Sequence, residues 1–92
     1  MIGLAVLCAL LSACSQNEDA LVVKLAHGLD TGHSVHQGMV YMAEQLDVYS
    51  NGTMRIDIYP GGQLGSERDL VELVQIGSLA MTKVSASPLE AF

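Results

Sequence analysis

From Leu21 onward the chain alternates between two hydrophobic periods. Leu21 to Ala26 (LVVKLA) is a short apolar run rich in β-branched residues, which predicts a buried strand. Gly28 to Gly32 (GLDTG) carries turn chemistry. Beyond it Val35, Met39, Met42, Ala43 and Leu46 recur at offsets of 4, 7, 8 and 11, the apolar stripe of an amphipathic helix. Ser50-Asn51-Gly52 stops that helix and turns the chain. Thr53 to Tyr59 (TMRIDIY) alternates strictly, Met54, Ile56 and Ile58 facing one way and Arg55 and Asp57 the other, so it predicts a strand with one buried face. Pro60-Gly61-Gly62 breaks it. Ser66 then caps a second helix, with Asp69 at the N3 position of a weak capping box. Leu70, Leu73 and Val74 form that helix's apolar stripe, and Gly77 sits at its C′ position. Leu79 to Val84 (LAMTKV) predicts a third strand, and Pro88 ends the regular pattern. Strands alternating with helices imply an α/β fold, β-α-β-α-β, with a mainly parallel sheet.

Residues 1–20 follow another pattern. Met1 to Ala13 is apolar, and no side chain carries charge before Glu18. Such a run is too short to span a hydrocarbon core, which needs about 20 helical residues, and it fits the h-region of a secretory signal. Leu11-Ser12-Ala13-Cys14 resembles the bacterial lipobox. That resemblance implies a lipoprotein signal peptide over 1–13, lipidation of Cys14, and a polar tether over 14–20. Acyl chains add about 0.8 kcal/mol per buried CH₂, enough in combination to hold a soluble domain at a membrane surface.

Composition narrows the chemistry. The 92 residues carry a net charge of -6, with four Lys and Arg against ten Asp and Glu, which argues against a nucleic-acid partner. Half the residues are apolar and 15% are charged, a balance that favours a folded domain over disorder. Both cysteines, Cys8 and Cys14, fall in the N-terminal segment, leaving the rest without a thiol for a disulfide, a zinc site or a nucleophile. Neither a Gly-x-Ser-x-Gly elbow nor a Gly-rich phosphate loop is present, and Gly61-Gly62-x-x-Gly65 has the wrong spacing for a dinucleotide fingerprint. The expectation is a protein that is not an enzyme and needs no cofactor.

Four segments together carry a family resemblance: Lys24-Leu25-Ala26-His27, Asn51-Gly52-Thr53-Met54-Arg55-Ile56, Tyr59-Pro60-Gly61-Gly62-Gln63-Leu64-Gly65 and Ile76-Gly77-Ser78-Leu79-Ala80-Met81. With the strand and helix register between them, Leu21 to Phe92 resembles the start of a DctP-type solute-binding protein, the extracytoplasmic receptor of tripartite ATP-independent periplasmic (TRAP) transporters. The resemblance implies that 21–92 is part of the N-terminal lobe of a two-lobed, type II-like periplasmic binding protein. It implies an organic acid as ligand, a C4-dicarboxylate or a sugar acid, and delivery to a TRAP membrane permease. It also implies a carboxylate-binding arginine beyond residue 92, since neither Arg55 nor Arg68 matches that position. A periplasmic, lipid-anchored location goes with it. An ABC-type receptor or a ligand-sensing domain built on the same lobe is the alternative.

Ligands of open parallel sheets sit outside the carboxyl ends of the strands, near helix N-termini. That rule selects Gly28 to Ser34 and Lys83 to Ser87. The resemblance adds Gly28 and Ser85, which align with ligand-contacting positions of the family. Lys83 interrupts an apolar strand at its carboxyl end, where a charge must pair or reach water; it is a cationic partner for a carboxylate ligand, or a lysine that snorkels out or pairs with a neighbouring acid such as Glu90. His33 and His36 open the first helix and either donate to a polar ligand or cap and pack. His27, ending a buried strand, is expected as a satisfied core histidine, and three histidines without a metal-binding motif imply no metal site. Met39, Met42, Met54 and Met81 are expected to fill the core, Leu64 to pack, and Asp57, Glu67 and Asp69 to lie on solvated faces.

Overall fold

The computed structural model describes residues 19–92. The proposed signal segment, Cys14 and all but the last two residues of the tether lie outside the described residues. The elements are β1 (Leu21–His27), α1 (Ser34–Tyr49), β2 (Met54–Tyr59), α2 (Glu67–Gln75), β3 (Met81–Lys83) and a closing 3-10 helix (Ser87–Ala91). The three strands form one sheet in the order β2-β1-β3, and both pairings are parallel. Leu21 to Ala26 pair with Met54 to Tyr59, and Leu25 to His27 pair with Met81 to Lys83.

Strand alternation divides the sheet into two faces. Ala26 points toward α2 and joins Leu70 and Leu79 in a buried cluster, with Tyr59, Leu73 and Val74 packed around it. Leu25 and His27 point to the opposite face, where His27 meets His36 of α1. The helices therefore lie on opposite sides of the sheet, a doubly wound arrangement.

Local chemistry fixes the element ends. Ser66 opens α2 with a full capping box: its hydroxyl accepts from the Asp69 N–H, and the Asp69 carboxylate accepts from the Ser66 N–H at 2.9 Å. The last turn of α1 closes through the Ser50 N–H onto the Leu46 carbonyl, and Asn51 and Gly52 follow with φ of 54° and 74°.

Several expectations need correction. The third ladder is shorter than Leu79 to Val84, because the Leu79 N–H bonds to the Leu73 carbonyl at the end of α2 instead of to β1. Leu79 is buried all the same. The stripe of α1 is rotated from the expected one: His36 and Met39 are buried, whereas Val35 and Met42 are exposed. Met81 and Leu64 are also exposed and fill no core among the described residues.

Candidate functional site

The parallel register brings the carboxyl ends of all three strands to one edge. Three segments meet there: the β1–α1 loop, the β2–α2 turn, and the chain leaving β3. The turn is tied to the loop by backbone bonds, the Gly61 N–H donating to the Leu29 carbonyl at 2.7 Å and the Gly62 N–H to the His27 carbonyl at 3.0 Å. Gly61 and Gly62 have φ of 68° and 71°, a conformation that favours glycine and lets both N–H groups turn toward the loop. On the other side of β1, the Thr82 hydroxyl donates to the Ala26 carbonyl at 2.8 Å.

His27 pairs across the ladder with Lys83. It is fully buried, as expected for a core histidine, and both ring nitrogens are used. The Leu29 N–H donates to its Nδ1 at 3.0 Å, and its Nε2 lies 2.9 Å from His36 Nδ1. His33 is the N-cap of α1, its Nδ1 accepting from the Val35 N–H. His33 thus caps the helix and His36 packs on His27. Three imidazoles and an ammonium thus gather at one edge.

Burial above all, and then the neighbouring His36, Lys83 and His33, hold His27 below its ordinary value of 6.5. The folded state therefore binds fewer protons here than the unfolded state. The stabilisation is fully present above 6.5 and is lost as pH falls below it toward the folded value. Denaturant midpoints measured from about pH 8 to about pH 5 are expected to fall on the acid side, and the slope should shrink in His27→Gln. A level profile in the parent protein would contradict this.

Lys83 is half-buried and forms no ion pair among the described residues. Of the alternatives to a ligand contact, the pair with Glu90 does not form. Ser85 is exposed and donates from both its N–H and its hydroxyl to Oε1 of Glu67, at 3.1 and 3.2 Å. This corrects the reading of Glu67 as merely solvated: it is a half-buried carboxylate held at the edge by a residue 18 positions away. Its position directly after the Ser66 cap signals only that it opens at that edge, as the first turn of a helix following a parallel strand does, and not that Ser85 reaches it. A Cβ on Gly28 would meet nothing within 4 Å, so this glycine leaves open space at the edge.

Among the described residues, no group of three His, Cys, Asp or Glu is placed to hold a metal ion. A groove between α1 and β2 is lined by Val40, Ala43, Ile56 and Ile58, but also by Glu44, Asp47 and Asp57. Three carboxylates make that groove unsuitable for an anion. The strand-end edge, with Lys83 and the imidazole donors, is the surface that suits one.

The family model described as bacterial extracellular solute-binding protein, family 7 (DctP), matches residues 25–92. Protein YiiZ of Salmonella typhimurium is 34% identical over 71 residues, covering 77% of this chain and 21% of its own length. Among solved structures, a TRAP periplasmic solute-binding protein of Citrobacter koseri with bound D-glucuronate shares 34% identity at a TM-score of 0.74, over 76% of this chain and 23% of that one. A counterpart from a Bradyrhizobium species, complexed with D-galacturonate, shares 31% identity at a TM-score of 0.73, over 76% of this chain and 23% of that one. The chain thus spans about a fifth of the length of the relatives it matches.

Proposed function

Because the chain belongs to the DctP family of bacterial extracellular solute-binding proteins, we propose that it contributes one side of a binding cleft for an organic acid and serves uptake through a TRAP-type permease. Residues 21–92 form the beginning of the N-terminal lobe in this reading. A sugar acid is favoured over a C4-dicarboxylate. The observation that carries it is the strand-end edge, where half-buried Lys83 lacks an ion-pair partner among the described residues and pairs across the ladder with His27, which in turn bonds His36.

A cation of this kind suits a carboxylate. The imidazoles, Ser85 and Glu67 supply the mixed donors and acceptors that sugar hydroxyls need. The open space at Gly28 leaves room for a polyol chain. Relatives with D-glucuronate and D-galacturonate bound support the same ligand class. The reading also includes a lipid anchor on Cys14 that keeps the receptor outside the cytoplasm; it rests on the lipobox resemblance of Leu11 to Cys14.

Ligand binding to the full-length protein tests the proposal. D-glucuronate, D-galacturonate and succinate are each added against glucose and an amino acid, and the melting temperature is followed; a ligand that binds only the folded state raises it by mass action. The expected order places the sugar acids first. A shift with glucose or the amino acid and none with any acid overturns the reading. Lys83→Ala is expected to weaken sugar-acid binding about tenfold or more by calorimetry, as befits loss of a charge-assisted hydrogen bond.

A further inference from the structure

The two buried histidines form a hydrogen-bond chain whose direction is set by the backbone. A peptide N–H can only donate, so the Leu29 N–H at 3.0 Å requires a bare lone pair on His27 Nδ1. A neutral imidazole then carries its proton on Nε2. That nitrogen faces His36 Nδ1 at 2.9 Å, so His27 donates and His36 Nδ1 accepts. The single proton of a neutral His36 must therefore sit on its Nε2. The reverse direction would place a proton on His27 Nδ1, against the Leu29 N–H.

Leu29 has little freedom to move away. Its carbonyl accepts from the Gly61 N–H at 2.7 Å, and the His27 carbonyl accepts from the Gly62 N–H at 3.0 Å. The turn after β2 thus pins the loop that sets the tautomer of the first histidine, which sets that of the second. Burial, above all, holds His27 below its ordinary value and so favours its neutral form.

His36 Nε2 makes no hydrogen bond with the described residues. Among the described residues no side-chain nitrogen or oxygen is both buried and without a partner, and His36 retains 9% of its surface. The free end of the chain is thus an N–H on His36, in the first turn of α1, which starts from the loop at the strand-end edge. We propose that His27 is a positioning residue: it fixes His36 as a hydrogen-bond donor at the cleft, so the ligand atom met there must be an acceptor oxygen of a carboxylate or hydroxyl. This rests on the organic-acid reading of the edge, and it adds the polarity of one contact and the residue that controls it. A ligand that turned an ammonium or amide N–H toward His36 would meet donor against donor and be rejected.

Long-range ¹H–¹⁵N correlation on the full-length protein, labelled at histidine, reads the tautomers directly. His27 and His36 are both expected as Nε2–H, and a His36 protonated on Nδ1 overturns the proposal. His27→Asn separates positioning from packing, since its side-chain oxygen can still accept from the Leu29 N–H while nothing reaches His36. His36 should then lose its single tautomer and D-glucuronate affinity should fall about tenfold. His27→Gln extends an amide N–H toward His36, and should keep the Nε2–H signature and hold affinity within about threefold. Equal losses in both variants with an unchanged His36 spectrum would make His27 structural only. Should the parent protein bind no sugar acid, the ligand class fails, while the tautomer pattern is still decided by the spectra.

Discussion

Leu70→Ala is expected to destabilise the lobe by roughly 2–5 kcal/mol, the range for truncating a fully buried leucine. Leu70 is wholly buried, and it stands where α2 meets the sheet, against Ala26 and Leu79 with Tyr59, Leu73 and Val74 around it. Ala26 is too small to move into the gap, and Leu79 is held by its N–H bond to the Leu73 carbonyl. The site therefore collapses poorly, which places the cost toward the upper part of the range. Ile76→Ala is the matched control: the residue is 74% exposed, and its replacement should stay within about 0.5 kcal/mol. Urea unfolding of the full-length protein checks the pair. Equal midpoints for the two variants would mean that α2 does not rest on Leu70.

The consequences extend to the edge, because α2 carries Glu67. With Leu70 truncated, the helix loses its main apolar anchor and the carboxylate held by Ser85 loses its fixed position. Ligand affinity in Leu70→Ala should fall along with stability, whereas Lys83→Ala should lower affinity with little change in the midpoint. The two variants thus separate a scaffold effect from a contact effect.

How much of this was readable in advance depends on whether the decisive interaction was local. The strand and helix order, the stop at Asn51-Gly52 and the Ser66–Asp69 box all rest on neighbours within a few positions, and each is present in the fold. His36 is different. Its periodicity favoured Val35 for the buried stripe, but His27, nine residues away, supplies a hydrogen-bond partner that makes burial of an imidazole favourable. Glu67 and Ser85 meet across 18 residues by way of β3, so neither residue's neighbours announce the contact. Met42 and Met81 show the limit of composition: an apolar side chain states what it prefers, but not which part of a sheet face a helix covers. Because α1 lies over β2, its coverage does not extend to Met81 on β3.

The second large effect is expected at Gly65→Ala, at a residue whose importance no side chain reveals. Its φ is 130°, a conformation side chains rarely adopt, and a Cβ there would lie 2.7 Å from the Cβ of Asp69. That neighbour is not the far end of a flexible chain, so relief requires the backbone to shift. Any such shift moves Ser66, the next residue, out of the box in which its N–H meets the Asp69 carboxylate at 2.9 Å and its hydroxyl meets the Asp69 N–H at 3.3 Å. Backbone strain of order 1–3 kcal/mol then adds to loss of a cap, typically about 1 kcal/mol. A total of roughly 2–4 kcal/mol is expected. A double-mutant cycle tests the cause: Asp69→Gly removes both the clashing Cβ and the box, so Gly65→Ala in that background should cost about 1–2 kcal/mol less than in the parent. Strict additivity would place the penalty in the glycine's backbone alone and leave the cap out of it.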